Sequence, residues 1–226
     1  PKQEIEIQDL LGDGFDYTVL GHRLSGNLGF PRRIATAYLN ASVYPIHRTF
    51  FEAVSNSLEK KGLQIPIYIL KADGGTMNLE SSMDYPGQTI LSGPAASVMG
   101  SLPFASENGE TLVLDIGGTT TDMAVLVRGV PLLDPLGIEI SGHKTLIRSL
   151  KTVSIGLGGD SAVRCVDGGL TIGPDRQGPP MAHGGPVPTP TDALIVLGEF
   201  SAGDVRASSE GIRHLADQLG LGVEET

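Results

Sequence analysis

The feature that most constrains this chain is the stretch from Leu112 to Val127, which reads LVLDIGGTTTDMAVLV. One apolar run ends at Asp115, and a second apolar run begins after Asp122. Between them lie two glycines and three threonines, residues that favour a tight turn over a continued strand. The pattern therefore predicts two β-strands that are joined by a short loop.

This loop has the chemistry of a phosphate-binding site. Glycines let the backbone approach a phosphate group, and successive amide N–H groups can form an anion-binding concavity. Threonine hydroxyls add donors, and carboxylates at strand ends are suitable for magnesium. A plain hairpin with a glycine turn is the alternative, and a Walker A loop is excluded because no Gly-Lys-Ser/Thr follows. We expect catalytic roles for Asp115 and Asp122, metal binding by Asp115, and phosphate contacts from Gly117, Gly118, Thr119, Thr120 and Thr121.

Two further glycine loops follow strand candidates. The segment 156–161 (GLGGDS) comes after the candidate 151–155, and Asp73–Thr76 comes after the apolar segment 65–70. Each is a weak indication by itself, since an ordinary tight turn has the same composition. For the first of them we predict nucleotide contacts from Gly156, Gly158, Gly159 and Ser161.

Composition narrows the classes of function. Hydrophobic residues make up 40% of the chain and charged residues 19%, with 31 Gly and 15 Pro, which favours a turn-rich α/β globule. The net charge of −10 argues against nucleic acid or an anionic membrane as partner. The single Cys165 excludes an internal disulfide and an all-cysteine metal site, and it favours a reducing cytoplasm. The five histidines have no metal-ligand spacing, and no membrane span or signal peptide is evident.

Element patterns give a coarse secondary structure. The alternation at 4–7 predicts a short strand within an otherwise irregular segment 1–30. Residues 31–62 have helical spacing, with a break or kink expected at Pro45 and the aromatic side chains expected in the core. Residues 205–219 predict an amphipathic helix with one face formed by Ile212, Leu215 and Leu219.

Three stretches together resemble the hydantoinase A/5-oxoprolinase family. They read ADGGTMNLESSMDYPGQTILSGPAASVMGS (72–101), LDIGGTTTDMAVL (114–126) and TVSIGLGGDSAVRCVDGGLTIGP (152–174), followed by GGPVPTPTDALIVLG (184–198). The resemblance implies an α/β fold, namely a ribonuclease-H-like (actin-like ATPase) lobe with a mixed sheet flanked by helices. We expect a lead-in at 1–30, the hydantoinase A-type ATPase lobe at 31–200, and a C-terminal amphipathic helix at 201–226.

The resemblance also implies a function. Family members use ATP with Mg²⁺ to open cyclic amides such as hydantoins or 5-oxoproline, together with a hydantoinase B-type subunit or domain, and relatives carboxylate ketones. The second phosphate motif of the family matches Asp115, Gly117, Gly118, Thr119, Thr120 and Asp122. Other motifs of the family match Ser92, Gly93 and Pro94, then Gly156, Gly158, Gly159 and Ser161, and finally Asp192. This chain departs from the family at Val153, Asp160 and Met181, which puts the substrate or those roles in doubt.

The resemblance further implies an N-terminal domain with a first phosphate loop, and we assign no stretch of this chain to that domain. We therefore expect the chain to be part of a longer protein, to bind ATP weakly by itself and not to turn it over. A homo-oligomer is possible for this fold. Two alternatives stay open: a sugar-kinase-like phosphotransferase, and a non-catalytic actin-like regulator. A single Cys165 speaks against an iron–sulfur activator of that second kind.

Overall fold

The computed structural model describes residues 1–25 and 29–225, which divide into two compact units. The first unit comprises Pro1–Thr111 and Val125–Lys151, and the second comprises Leu112–Ala124 and Thr152–Thr226. Two of the three boundaries between the units, after Thr111 and after Ala124, fall within the two strands of the predicted hairpin.

The described residues of the first unit form five α-helices, short 3-10 helices and several short strands. The α-helices are α1 (Lys2–Leu11), α2 (Gly21–Leu24), α3 (Phe30–Lys60), α4 (Leu79–Asp84) and α5 (Ser92–Ser101). Strands β1 (Tyr68–Leu70) and β2 (Thr76–Asn78) form an antiparallel pair. The core of the first unit contains Ala72, Ile138 and Ile147, against which Leu39, Ile90 and Ile140 pack.

Helix α3 continues through Pro45, so the expected break at that residue is wrong. A proline inside a helix costs about 3 kcal/mol, but tertiary contacts hold this helix on both sides of it. Before Pro45, the Asn40 Oδ1 accepts a 3.0 Å hydrogen bond from the Gly87 amide. After it, the His47 Nε2 lies 2.9 Å from the Ser82 hydroxyl. These contacts account for the continuity of the helix.

The buried face of α3 is polar, which contradicts the expected aromatic core. Its buried residues are Thr36, Asn40 and His47. By contrast, Tyr38 and Phe50 are exposed to solvent. Side-chain hydrogen bonds from these polar residues therefore help to hold the helix against its neighbours, in addition to the apolar packing of Leu39.

The central hairpin is confirmed. It consists of β3 (Glu110–Ile116) and β4 (Thr121–Val127). These strands are neighbours in a sheet that also contains β10 (Thr152–Ile155), in the order β10-β4-β3. Strand β5 (Val130–Pro131) also pairs with β4. The remaining short strands of the first unit are β6 (Leu133–Asp134), β7 (Glu139–Ile140), β8 (His143–Lys144) and β9 (Ser149–Leu150), paired as β6 with β9 and β7 with β8.

Every strand pair of known register among the described residues is antiparallel. In the second unit, β10 pairs with β4 so that Ile155 lies opposite Thr121 and Val153 opposite Met123. Strands β11 (Val163–Val166) and β12 (Gly169–Ile172) form a separate pair. The fold therefore combines helices with antiparallel sheets.

Two helices complete the second unit, α6 (Pro190–Val196) and α7 (Val205–Leu219). The prediction of an amphipathic helix at 205–219 is confirmed, and Ile212 and Leu215 are buried in a cluster with Val163. The prediction of a strand at 4–7 is wrong, because these residues lie within α1. Within the described part of the chain, no helix has the length and apolar character that a membrane crossing requires.

Candidate functional site

The hairpin places Asp115 and Asp122, the two carboxylates that were predicted to be catalytic, side by side on neighbouring strands. The Gly117 amide donates to the Thr120 carbonyl over 2.9 Å, and the Arg128 amide donates to the Gly109 carbonyl over 2.8 Å. Both bonds fit one antiparallel register, in which Asp115 lies opposite Asp122. Paired residues of neighbouring strands share a face of the sheet, so the two carboxylates project from the same face.

The same face carries a third side chain with an oxygen atom, Ser154. Ser154 of β10 lies opposite Asp122 in the strand register. A row of two carboxylates and one hydroxyl thus crosses three strands at the loop end of the sheet. Like charges directly opposite each other destabilise a strand pair, so a bound cation would stabilise this arrangement.

The side-chain oxygens on this face suit a magnesium ion that keeps several waters, rather than a metal ion that is coordinated entirely by protein side chains. Among the residues that the structure describes, no three His, Cys, Asp or Glu side chains form a cluster suited to a metal. Magnesium prefers oxygen ligands, retains several waters and commonly takes one or two protein carboxylates together with phosphate oxygens. Asp115 and Asp122 can supply that number of carboxylates.

The turn between the strands is open. Gly117, Gly118, Thr119 and Thr120 are all exposed, and an added Cβ at Gly117 would meet only the Thr120 carbonyl of its own turn, at 3.3 Å. Backbone amides and two threonine hydroxyls are therefore accessible to a phosphate group.

The second glycine loop lies against this turn. The Gly159 amide donates to the Gly117 carbonyl at 2.9 Å, and the Asp160 amide donates to the Gly118 carbonyl at 2.8 Å. On its other side, Thr191 of α6 donates from both its amide and its hydroxyl to the Gly159 carbonyl, at 3.0 and 2.8 Å. Tertiary structure therefore brings together two loops that lie about 40 residues apart in sequence.

Close backbone approach explains two of the glycines. A Cβ at Gly158 would lie 2.6 Å from the Gly117 carbonyl oxygen and 2.6 Å from the Gly118 carbonyl carbon. A Cβ at Gly159 would lie 2.7 Å from the Thr191 Oγ1. The missing side chains at these positions permit loop packing, which is a reason independent of any ligand.

Two of the predicted ligand-binding hydroxyls are buried in internal hydrogen bonds. The Thr121 hydroxyl donates to the Leu157 carbonyl at 2.6 Å. The Ser161 Oγ accepts from the Gly158 amide at 2.8 Å, and only 2% of Ser161 is exposed. Their contacts favour a role in shaping the loops, whereas Thr119 and Thr120 remain accessible.

Sequence reasoning missed Arg176, which lies in the Pro/Gly-rich segment. Its Nη2 is 2.8 Å from the Asp160 Oδ2. A Cβ at Gly118 would be 3.1 Å from that same carboxylate oxygen, so Asp160 lies beside the turn. A carboxylate there opposes phosphate binding, and the Arg176 guanidinium offsets its charge. An arginine in an irregular segment has no local pattern that would have identified it.

Other family-matching positions have structural contacts. The Asp192 carboxylate is fully buried and accepts bonds from the amides of Met181, Ala182 and Thr189 and from the hydroxyls of Thr189 and Ser208. Burial alone would raise the pKa of Asp192, but these hydrogen bonds outweigh it and lower the pKa below the ordinary value.

The remaining departures and matches are placed as follows. Met181 packs against α7, since a Cβ at Gly211 would come within 2.4 Å of its sulfur, and Val153 is exposed on β10. In the first unit, Ser92 is the first residue of α5, whose cap is Leu91 in a left-handed conformation.

Comparison with known proteins gives consistent similarities. The family model described as Hydantoinase/oxoprolinase matches residues 33–226. The acetophenone carboxylase gamma subunit of Aromatoleum aromaticum is 29% identical over 221 residues, covering 88% of this chain and 29% of the relative. Caprolactamase subunit alpha of Pseudomonas jessenii is 26% identical over 224 residues, covering 90% of this chain and 32% of the relative.

An archaeal protein and a solved structure extend the comparison. An uncharacterised protein of Methanocaldococcus jannaschii is 27% identical over 224 residues, with 85% of this chain and 32% of the relative covered. The chain thus spans about a third of the length of these relatives. A nucleotide-free structure of acetone carboxylase, an enzyme of ATP-dependent acetone carboxylation, is also similar. The match has a TM-score of 0.74 and 22% identity, and it covers 100% of this chain and 35% of that chain. At this identity the match indicates a shared fold.

Proposed function

Because the chain belongs to the hydantoinase/oxoprolinase family, we propose that it is the ATP-binding portion of an enzyme that opens a cyclic amide ring of the hydantoin or 5-oxoproline type. The resemblance read from the sequence stretches is confirmed by the family match. Similarity to caprolactamase subunit alpha, an enzyme named for a cyclic amide, supports the ring-opening activity. The proposed lobe is ribonuclease-H-like and acts in the cytoplasm.

The observation that carries this proposal is the exposed turn Gly117–Thr120. The glycine loop at Gly159 holds this turn through a hydrogen bond to the Gly117 carbonyl. We assign phosphate contacts to the turn amides and to the hydroxyls of Thr119 and Thr120. Preorganised donors of this kind stabilise charge at low reorganisation cost, and phosphoryl transfer depends mainly on such positioning.

The carboxylates complete the proposed site. Asp115 and Asp122 would hold Mg²⁺, with Asp115 as the principal ligand. ATP, when bound, supplies the phosphoryl group that activates the amide. The Arg176 guanidinium forms an ion pair with the Asp160 carboxylate. This pairing lowers the electrostatic repulsion that phosphate oxygens would meet beside Gly118.

A partner is part of the proposal. The relatives are named as a gamma subunit and an alpha subunit, which supports action within an assembly. We propose a hydantoinase B-type subunit or domain as that partner.

Ketone carboxylation is the second candidate. It is favoured by the similarity to the acetophenone carboxylase gamma subunit and to the acetone carboxylase structure. Both candidates need the same ATP site, so they differ in the substrate that stimulates ATP hydrolysis.

The decisive experiment measures ATP hydrolysis by the full-length protein with its partner. Cyclic amides and ketones with bicarbonate are supplied separately, and stimulation by cyclic amides alone supports the first candidate. Asp115→Ala should abolish the stimulated hydrolysis, while Asp217→Ala, at an exposed position of α7, should retain it. Full activity of Asp115→Ala would remove this carboxylate from the site, and stimulation by ketones alone would favour carboxylation.

A further inference from the structure

The first unit contains a cavity of about 380 Å³ that none of the proposed ATP-site residues lines. Its walls come from α3, from the turn after β1 and from the segment 146–148. The volume is at the small end of the range for ligand sites, about 300–1,000 Å³. A cavity of this size suits a compact molecule.

Three charged side chains line one side of the cavity. The Lys71 Nζ lies 3.2 Å from the Asp73 carboxylate, and an Arg148 Nη2 lies 3.9 Å from the same carboxylate. Lys71 and Asp73 are mostly buried, whereas 65% of the Arg148 side chain is exposed. Among the described residues that line the cavity, two cations therefore face one anion, which gives this lining one excess positive charge.

Two buried polar side chains of α3, Thr36 and Asn40, also line the cavity and are fully engaged in hydrogen bonds. The Asn40 amide group donates to the Thr36 carbonyl at 2.8 Å and accepts from the Gly87 amide at 3.0 Å. The Thr36 hydroxyl donates to the Arg32 carbonyl at 2.7 Å and accepts from the Leu146 amide at 2.8 Å. Because these groups are already hydrogen-bonded, binding a ligand would not require these side chains to rearrange.

Two polar side chains in the lining remain available to a ligand. Within the described part of the chain, the Tyr85 hydroxyl and the Gln88 side-chain amide make no hydrogen bond to another residue. They can donate to and accept from a carbonyl or amide group.

We propose that this cavity binds a small organic monoanion, with its carboxylate toward Lys71 and Arg148 and an amide or carbonyl group toward Tyr85 and Gln88. The charge balance selects the class: one carboxylate neutralises the single excess positive charge, whereas a dianion or a cation does not. Charge-assisted hydrogen bonds to Arg and Lys are the strong ones, and they fix the carboxylate end of the ligand.

The test uses three probes of matched length and no ATP. Succinamate carries one negative charge, succinamide is neutral, and 4-aminobutanamide carries one positive charge. Binding to the 226-residue chain is followed by NMR titration of the backbone amides at low salt. We expect succinamate to bind about tenfold more tightly than succinamide, with shifts at the Gly74 and Gly75 amides, and 4-aminobutanamide to bind least. Equal binding of succinamate and succinamide would overturn the proposal.

Variants locate the site. Arg148→Gln should weaken succinamate binding about tenfold, while Arg213→Gln, which removes the same charge from an exposed position of α7, should leave it unchanged. Asp73→Asn adds one net positive charge to the cavity and should allow inorganic phosphate to bind. Equal effects of the two arginine variants, or no effect of either, would contradict the assignment. Failure of the ATP experiment would leave this result unaffected, since no nucleotide is present.

Discussion

The backbone amide of Gly159 donates a 2.9 Å hydrogen bond to the carbonyl oxygen of Gly117 and thereby joins the two glycine loops of the candidate ATP site. This bond uses a carbonyl of the turn and leaves the outward side of the turn exposed. The glycine loop therefore supports the phosphate turn from behind, and both loops are expected to respond together to substitution.

Gly158→Ala should disrupt both loops. Its Cβ would lie 2.6 Å from the backbone of the neighbouring turn, where no flexible side chain can move away. We expect a loss of about 1–3 kcal/mol in the free energy of unfolding and weaker ATP binding, measured by denaturation and by titration with a fluorescent nucleotide. Gly100→Ala in α5 has open space and should be neutral or stabilising. A fully stable Gly158→Ala chain would show that the loops are not packed as described.

Asp122→Asn should affect stability and metal binding in opposite directions. Without divalent metal, removing one of two facing carboxylates should stabilise the chain by about 0.2–1 kcal/mol at low salt. The same change should weaken Mg²⁺-dependent nucleotide binding. Thermal denaturation with and without Mg²⁺ measures both effects, and Glu107→Gln, at an exposed turn, provides the matched charge control. Unchanged Mg²⁺ dependence would exclude Asp122 from the metal site.

Asp192→Asn should destabilise the second unit strongly. The carboxylate accepts five hydrogen bonds at a fully buried position, and an amide group cannot accept all of them. We expect a loss of about 3–5 kcal/mol, against a negligible change for exposed Asp217→Asn. Urea denaturation monitored by circular dichroism gives both values.

The lowered pKa of Asp192 also predicts an acid transition. A carboxyl whose pKa is lower in the folded state than its ordinary 3.8 contributes stability above that value. This contribution is lost as the pH falls below 3.8 toward the folded pKa. The free energy of unfolding of the wild-type chain should therefore fall in this range more steeply than that of Asp192→Asn, and parallel curves would be evidence against the hydrogen-bonded carboxylate.

His47 predicts a second transition at milder pH. Burial lowers the pKa of His47 below its ordinary 6.5, so the unfolded state binds more protons than the folded state below that pH. Stability is therefore full above pH 6.5 and declines as the pH falls toward the folded pKa. The Ser82 hydroxyl donates to the Leu79 carbonyl, so the neutral ring donates from its Nε2. His47→Gln should flatten this pH dependence, and His214→Gln on exposed α7 should preserve it.

One face of the sheet that contains β10, β4 and β3 is expected to bind a hydrophobic dye. Leu112, Leu114 and Ile116 of β3 and Val153 and Ile155 of β10 are exposed apolar residues on the face opposite Asp122. The double change Leu114→Thr and Val153→Thr should reduce fluorescence of a hydrophobic dye such as ANS and change stability by less than about 1 kcal/mol. Leu10→Thr on α1, where the exposed residue lies apart from this face, should leave the fluorescence unchanged.

Local pattern alone determined several features of this protein. Three elements follow from patterns of neighbouring residues: the hairpin around Asp115, the glycine loop at 156–161 and the helix at 205–219. Alternation, turn preference and helical spacing in the sequence predict them. The family follows from the same stretches, because their residues match in order along the chain.

Tertiary structure decided which of these features meet. Contacts between Gly117 and Gly159, between Asp160 and Arg176, and between Ala182 and Asp192 join residues 10 to 42 positions apart, and no local period encodes them. The polar buried face of α3 has the same cause: Asn40 and His47 are buried by hydrogen bonds to distant segments, which outweigh the local preference that places apolar side chains inside.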